Sequence, residues 1–362
     1  MDALKLQEMA IIGELVDLVG SLPQVQAKLL KLEPTLGNSR YDALLEAKFG
    51  DLPLQLWVEV KSNIFPRDAR EQLARWRASA EVSAKTAHRH FIVAAQTISP
   101  GARQMLADEG IGYFAQGGSL CLPFTGAYTF IDKSSERKPT RDFDLFTDAR
   151  TPVLEAMLLH PDLFYTVHDL AGNTGSSSAT VSKLFSKLER EDWVAVEGSG
   201  PFKRRRLSNP AAVLDAWVAA QTDRLPHRKA RRFFVGGHKA VDLPGFITDA
   251  MPMDAASATT RYHFTAEAAA HHYARFLTTW PFSTMRAVPQ VTTQLRETVA
   301  ATEVEQGYNL VVIEDGLSAL KLSESDAGLS LASPVQTYVD LMCGTGRAPD
   351  AARHLREQIL KF

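Results

Sequence analysis

Apolar positions along the first part of the chain switch between two periods. Residues 4–22, "LKLQEMAIIGELVDLVGSL", repeat apolar side chains every three to four positions, which predicts an amphipathic helix. Residues 41–49 and 54–62 read instead as two strands, joined by the Gly/Pro turn "GDLP". Within the second, "WVEVK" puts Trp57, Glu59 and Lys61 on one face and Val58 and Val60 on the other. Pro66 opens a helix, and "HFIVAAQ" is a short buried strand. Ser99 caps a further helix, with Pro100 at its first position and Gly110 past its end. "IGYFAQGGSLCLPF" supplies two short strands around Gly117 and Gly118. Strands alternating with helices predict a mixed sheet with flanking helices over residues 1–125.

Residues 126–147 are polar and unpatterned, and they read as a linker. A different order follows over residues 148–225. "ARTPVLEAMLLHP", "TVHDLAGNTG" and "SSSATVSKLFSKLEREDW" are helical, and "VAVEGSGPFKRRRLSN" is a strand, a Gly-rich tip and a basic return strand. Helix, helix, helix, hairpin is the order of a winged helix-turn-helix. Residues 226–362 mix strands ("RFFVGG", "YNLVVIE") with helices ("TAEAAAHHYARFL", "SPVQTYVDLMCG", "APDAARHLREQILKF"), an α+β arrangement. No internal repeat and no low-complexity tract is visible.

Composition narrows this α/β multidomain picture. At 362 residues, with 45% apolar and 23% charged side chains, the chain has the make-up of a globular protein of two or three domains. Cys121 and Cys343 have no Cys or His partner at metal-ligand spacing. No apolar run approaches a membrane span, and the acidic N-terminal helix is unlike a signal peptide, so a cytoplasmic location is expected. The net charge of −2 is unevenly spread. Residues 177–239 hold 13 Lys/Arg against 6 Asp/Glu, so a basic module sits between acidic flanks.

Two carboxylates 17 residues apart, Asp42 and Glu59, fall where a hairpin brings strands together, and Lys61 shares the face of Glu59. Paired carboxylates hold Mg²⁺ through oxygen, and a neighbouring lysine can orient or activate water. The plain alternative is a cross-strand ion pair on a solvated face. The arrangement resembles the PD-(D/E)xK nuclease superfamily. That resemblance implies a restriction-endonuclease-like fold, an acid on the first helix, for which Glu14 stands, and a polar residue after the lysine, for which Gln72 stands. The catalytic set of a nuclease would then be Glu14, Asp42, Glu59, Lys61 and Gln72, with Asp42 and Glu59 on the metal.

In the middle part, Ser177, Ser178, Thr180, Ser182, Lys183 and Lys187 form the polar side of a helix whose Val181, Leu184, Phe185 and Leu188 face inward. Short polar and basic side chains at a helix N-terminus suit the major groove of double-stranded DNA. Lys203, Arg204, Arg205 and Arg206 then offer phosphate contacts from the hairpin, but alternate residues point to opposite faces, so not all four reach one phosphate run unless the tip is irregular. The alternative is a winged helix used for protein contacts. His263, His271 and His272 read as structural, because adjacent histidines point about 100° apart on a helix. "CGTGRAP" lacks the Lys-Ser/Thr of a phosphate loop.

"SPVQTYVDLMCGTGRAPDAARHLREQIL" and "FTAEAAAHHYARFLTTWP" resemble the C-terminal signature of AbiEi-type antitoxins of type IV toxin–antitoxin systems. The resemblance implies a transcriptional autorepressor that binds inverted repeats through a winged helix; since one winged helix reads only a short half-site, a dimer or a pair of monomers on the repeat is expected. It also implies a functional link to a nucleotidyltransferase-like toxin, with no cofactor required for DNA binding. The leading expectation is therefore an AbiEi-like regulator with a nuclease-like N-terminal domain. A Mg²⁺-dependent endonuclease with the winged helix as its target reader is the alternative, and a protein-interaction scaffold is a third class.

Overall fold

The structure, a computed structural model, describes residues 3–78, 89–124, 127–131, 144–147, 150–225, 229–252, 260–326 and 328–362. The chain divides into two compact units, Met1–Asp142 with Arg190–Asp192, and Phe143–Glu189 with Trp193–Phe362. Each is a mixed α/β assembly.

In the first unit, helix α1 (Ala3–Gly20) is followed by strand β1 (Val25–Leu32) and a two-stranded ribbon, β2 (Thr35–Leu36) and β3 (Ser39–Arg40). Strands β4 (Ala43–Phe49) and β5 (Leu52–Ile64), helix α2 (Pro66–Ala78), strand β6 (Arg89–Ile98) and helix α3 (Pro100–Asp108) come next. Strands β7 (Gly112–Ala115), β8 (Ser119–Phe124) and β9 (Ala127–Ile131) complete one seven-stranded sheet, in the order β1-β4-β5-β6-β7-β8-β9. The pairs β5–β6 and β6–β7 are parallel and the outer pairs antiparallel. Parallel neighbours need a crossover, and α3 lies in the one that joins β6 to β7. Ile11, Ile12, Leu15 and Val19 of α1 pack on the face that carries Leu54, Leu56, Val58 and Val60. Ala69 and Trp76 of α2 cover the other face with Trp57, Tyr41 and Phe91.

Two expectations are corrected here. Residues 25–32 form a strand that the sequence reading did not anticipate. It sits at the sheet edge, where Lys28 and Lys31 interrupt the apolar pattern that marks a buried strand. The expected linker at 126–147 opens with β9, which pairs with β8; residues 132–143 of it lie outside the described residues.

The second unit opens with helices α4 (Thr151–Leu159), α5 (Val167–Thr174) and α6 (Ser178–Arg190), then strands β10 (Val194–Glu197) and β11 (Arg204–Leu207). Local signals set their ends. Thr166 and Asp169 form a capping box at the start of α5, and Gly175 closes it at φ 61°, where a Cβ would be strained. The Ser177 hydroxyl accepts the Thr180 N–H at the start of α6. Helix α7 (Pro210–Arg224), absent from the sequence reading, follows with Trp217 fully buried.

A second seven-stranded sheet is built from β12 (Ala230–Phe234), β13 (Tyr262–Thr265), β14 (Ser283–Ala287), β15 (Thr302–Glu303), β16 (Leu310–Glu314), β17 (Ser323–Asp326) and β18 (Leu329–Ala332). Its order is β15-β12-β16-β14-β13-β18-β17, again with mixed directions. Helices α8 (Leu243–Ala250) and α10 (Pro289–Thr298) belong to this core; α9 (Ala266–Tyr273), α11 (Pro334–Met342) and α12 (Ala348–Leu355) turn towards the helices that open the unit. One hydrophobic cluster holds Leu154, Leu184, Phe185 and Trp217 together with Ala270, Val339 and Leu355, so α4–α7 share a core with α9, α11 and α12. Among the described residues no helix is long and apolar enough to cross a membrane.

Candidate functional site

In the first unit the structure brings three expected residues together. Asp42 directly precedes β4; its N–H donates to the Val58 carbonyl, and its Oδ2 accepts the Val60 N–H at 2.6 Å. Asp42 thus holds the backbone on both sides of Glu59, by its own N–H at Val58 and by its carboxylate at Val60. Glu59, 12% exposed at its side chain, pairs with Lys61, which is 38% exposed. Strand alternation puts Glu59 on the Trp57 face, the one that α2 covers. Gln72 lies on α2 itself, buried, with its Oε1 accepting from Arg75.

Glu14 does not join this set. Helix α1 turns Ile11, Ile12, Leu15 and Val19 into the opposite face of the sheet, and Glu14 stays exposed, accepting the Gln116 side-chain amide at 2.7 Å. Glu8, two turns earlier, lines a cleft of about 230 Å³ with Gln7, Ile11, Val60, Lys61 and Ser62. Nothing local in the sequence shows which turn of α1 ends beside β5, so no signal there marks Glu8. Among the described residues no group of three or more His, Cys, Asp or Glu side chains is placed to hold a metal ion. What the site offers is two carboxylates and a lysine.

In the second unit, α6 buries Val181, Leu184, Phe185 and Leu188 completely and leaves Ser177, Ser178, Ser182 and Lys183 exposed. Thr180 and Lys187 are half-buried at the margins of that polar face. The hairpin pairs Val194 with Leu207 and Glu197 with Arg204, and Tyr165 bridges to Arg205 through two main-chain hydrogen bonds.

The four basic hairpin residues divide into two sets. Arg205 and Lys203 both bind Glu189 of α6 at 2.9 Å, and the Arg205 guanidinium lies 4.7 Å from the Phe185 ring centre. Arg205 is only 12% exposed at its side chain. Partial burial works against ionisation of Glu189, but the hydrogen bonds and charges of Lys203 and Arg205 outweigh it and hold the carboxyl below its usual range. Arg204 pairs with Glu197, and Arg204 and Arg206 lie 5.2 and 5.1 Å from the Phe164 ring centre. Alternation along β11 is the cause: successive side chains point to opposite faces. Glu189 was not singled out from sequence, since nothing local marks a helix carboxylate as a partner of residues 14 and 16 positions later.

A buried polar network lies where α4 meets α11. Arg286 forks onto Asp340 through Nε and Nη2 at 2.7 Å each, and its Nη1 donates to Asp315. Burial alone would lower the Arg286 pKa; the carboxylates of Asp315 and Asp340 outweigh it and keep the group charged. Thr265 donates to Asp340 at 2.7 Å, and Ser333 donates to Glu155 of α4. Burial pushes the Glu155 carboxyl up to about 8 and the His263 imidazole down to about 3. His263 pairs across the strands with Arg286, is 2% exposed and is neutral. This agrees with a structural role for that histidine.

No protein-family model matches the chain, and a search of curated proteins finds no match. Among solved structures the chain is similar to a repair endonuclease from Pyrococcus abyssi, with 18% identity and a TM-score of 0.24. The match covers 30% of this chain and 47% of that one, so it spans about half the length of that endonuclease. At that TM-score the likeness assigns neither a fold nor an activity to this chain.

Proposed function

We propose that this protein is a sequence-specific DNA-binding transcriptional regulator in which α4–α6 and the β10–β11 hairpin act as a winged helix-turn-helix. One observation carries the reading. Helix α6 buries four apolar side chains and turns Ser177, Ser178, Ser182 and Lys183 to solvent, beside a basic hairpin that Glu189 ties to the same helix. An isolated bridge from Tyr165 to Arg205 ties the segment before α5 to the hairpin. Helix α6 would enter the major groove, and Arg204 and Arg206 would meet phosphates. On the resemblance of its C-terminal segment the chain is an AbiEi-like autorepressor. It would bind an inverted repeat as a dimer and act in functional opposition to a nucleotidyltransferase-like toxin. Gel shifts on the DNA upstream of its own gene test this. Binding should fall steeply with salt, and Lys183→Ala should weaken it severalfold. Indifference to both sequence and Lys183→Ala would overturn the reading.

The first unit supports a second reading, a divalent-metal-dependent DNA endonuclease on a restriction-endonuclease-like fold. The observation in its favour is that Asp42 grips the backbone around Glu59 while Lys61 pairs with Glu59. Mg²⁺ is commonly held by one or two carboxylates plus waters and substrate phosphate, so Asp42 and Glu59 fit the ion. When bound, the ion would stabilise charge on the scissile phosphate. Lys61 would orient the water, and Gln72 would hold the α2 side of the site. Plasmid incubated with the protein and Mg²⁺ or Mn²⁺, beside Lys61→Ala, separates the two readings. Cleavage lost in the variant establishes the second.

A further inference from the structure

The tip of the β10–β11 hairpin carries a side chain that the basic-wing picture does not use. Phe202 is 82% exposed, against 54% for Leu163, the next most exposed large apolar side chain among the described residues. Leaving a phenyl ring in water forgoes a stabilisation that burial elsewhere would supply. Nor is the tip a slack loop. Gly200–Phe202 form a single 3-10 turn, in which Phe202 N–H donates to the Ser199 carbonyl and Lys203 N–H to the Gly200 carbonyl, both at 3.2 Å. Gly198, at φ 75°, packs so closely that a Cβ there would meet the Phe202 carbonyl oxygen at 2.7 Å. The next residue, Lys203, is anchored on Glu189 in the last turn of α6. The ring is thus presented on a built turn at a fixed offset from the helix, with the basic side chains of Lys203 and Arg204 following it.

A helix seated in the major groove leaves the adjacent minor groove to the hairpin beside it, because the two grooves alternate along a duplex. Apolar side chains that reach the minor groove act as wedges between base steps, and pyrimidine–purine steps unstack most easily. We infer that Phe202 is a minor-groove wedge that selects a flexible pyrimidine–purine step beside the α6 contact. This rests on the winged-helix reading above. The hairpin as a whole, with Lys203, Arg204, Arg205 and Arg206 against the single acid Glu197, is suited to a polyanion.

Duplexes selected from a random pool by the wild-type protein provide the probe. Wild type should enrich a pyrimidine–purine step at a set distance from the helix contact. 2-Aminopurine placed at that step should brighten on binding. Phe202→Ala removes a solvated ring, so folding is not at stake. It should weaken binding about tenfold, lose the step preference and the fluorescence change, and leave the salt slope unaltered. Phe202→Leu should restore much of the effect. Arg204→Ala should do the reverse, reducing the salt slope by about 1 and keeping the step. If Phe202→Ala matches wild type in affinity and step preference, the wedge is wrong. It is equally wrong if the substitution changes only self-association in sedimentation velocity. A wild-type protein that selects no duplex would overturn the DNA-binding reading itself, a result distinct from either.

Discussion

Replacing Glu189 by Ala separates two ways of thinking about the basic hairpin. By charge alone, removing an acid beside Lys203 and Arg205 should tighten DNA binding. The structure predicts the opposite, because Glu189 is the counter-charge that holds both residues and sets the hairpin on α6. Glu189→Ala should lower stability by about 1–3 kcal/mol and weaken duplex binding, as read by urea unfolding and gel shift. Glu155 gives a pH signature. Its folded pKa of about 8 lies above its ordinary 4.5, so its contribution is complete below the lower value and is lost as pH rises to the higher. His263, lowered from 6.5 to about 3, acts in the other direction, losing its contribution as pH falls from 6.5. Between about 6.5 and 8 only the Glu155 slope remains of these two. Glu155→Gln keeps the hydrogen bond with Ser333 in reach and should flatten that loss of stability, which thermal melts at either end of the window would reveal.

At the scale of elements, helix α11 shows what a motif can and cannot disclose. The run "SPVQTYVDL" is conspicuous in the sequence, and Ser333 as an N-cap ahead of Pro334 can be read directly from it. What Ser333 and Asp340 do beyond the cap cannot, because their partners lie far along the chain: Glu155 on α4, Thr265 at the end of β13, and Arg286 on β14. Asp340→Ala should be among the most damaging substitutions in the second unit, costing about 3–5 kcal/mol, since it leaves the buried Arg286 with Asp315 alone. Unfolding by denaturant, followed by tryptophan fluorescence, measures this. The same contrast explains the strand at 25–32. Its exposed Lys28 and Lys31 break the alternation that marks a buried strand, yet main-chain pairing with β4 holds it in the sheet. Capping residues, by contrast, act within four positions, so the starts of α3, α5 and α6 were legible.

At the scale of the whole molecule, each unit has its own core and its own candidate chemistry. Substitutions at sites with no shared partners are expected to add. Lys61→Ala and Asp42→Asn should therefore leave duplex affinity unchanged within about twofold, a shift under about 0.4 kcal/mol. Lys183→Ala should leave any metal-dependent cleavage of non-specific plasmid unchanged. A double variant, Lys61→Ala with Lys183→Ala, tests additivity directly.

The sequence by itself determined the helices with sharp caps, the strand that carries Glu59 and Lys61, and the buried stripe of α6. It also determined that polar and basic residues crowd residues 177–206. These follow from short-range rules: the 3.6 and 2.0 periods, capping, and the strain of glycine-only turns. Tertiary structure alone decided which charges meet. It gave Lys203 and Arg205 to Glu189, sent Glu14 to Gln116 and brought Glu8 to the cleft beside Lys61. It also left Phe202 in solvent on a closed turn. The physical reason is that a side chain's partner depends on how separate elements are brought into register and packed, and no local pattern encodes that.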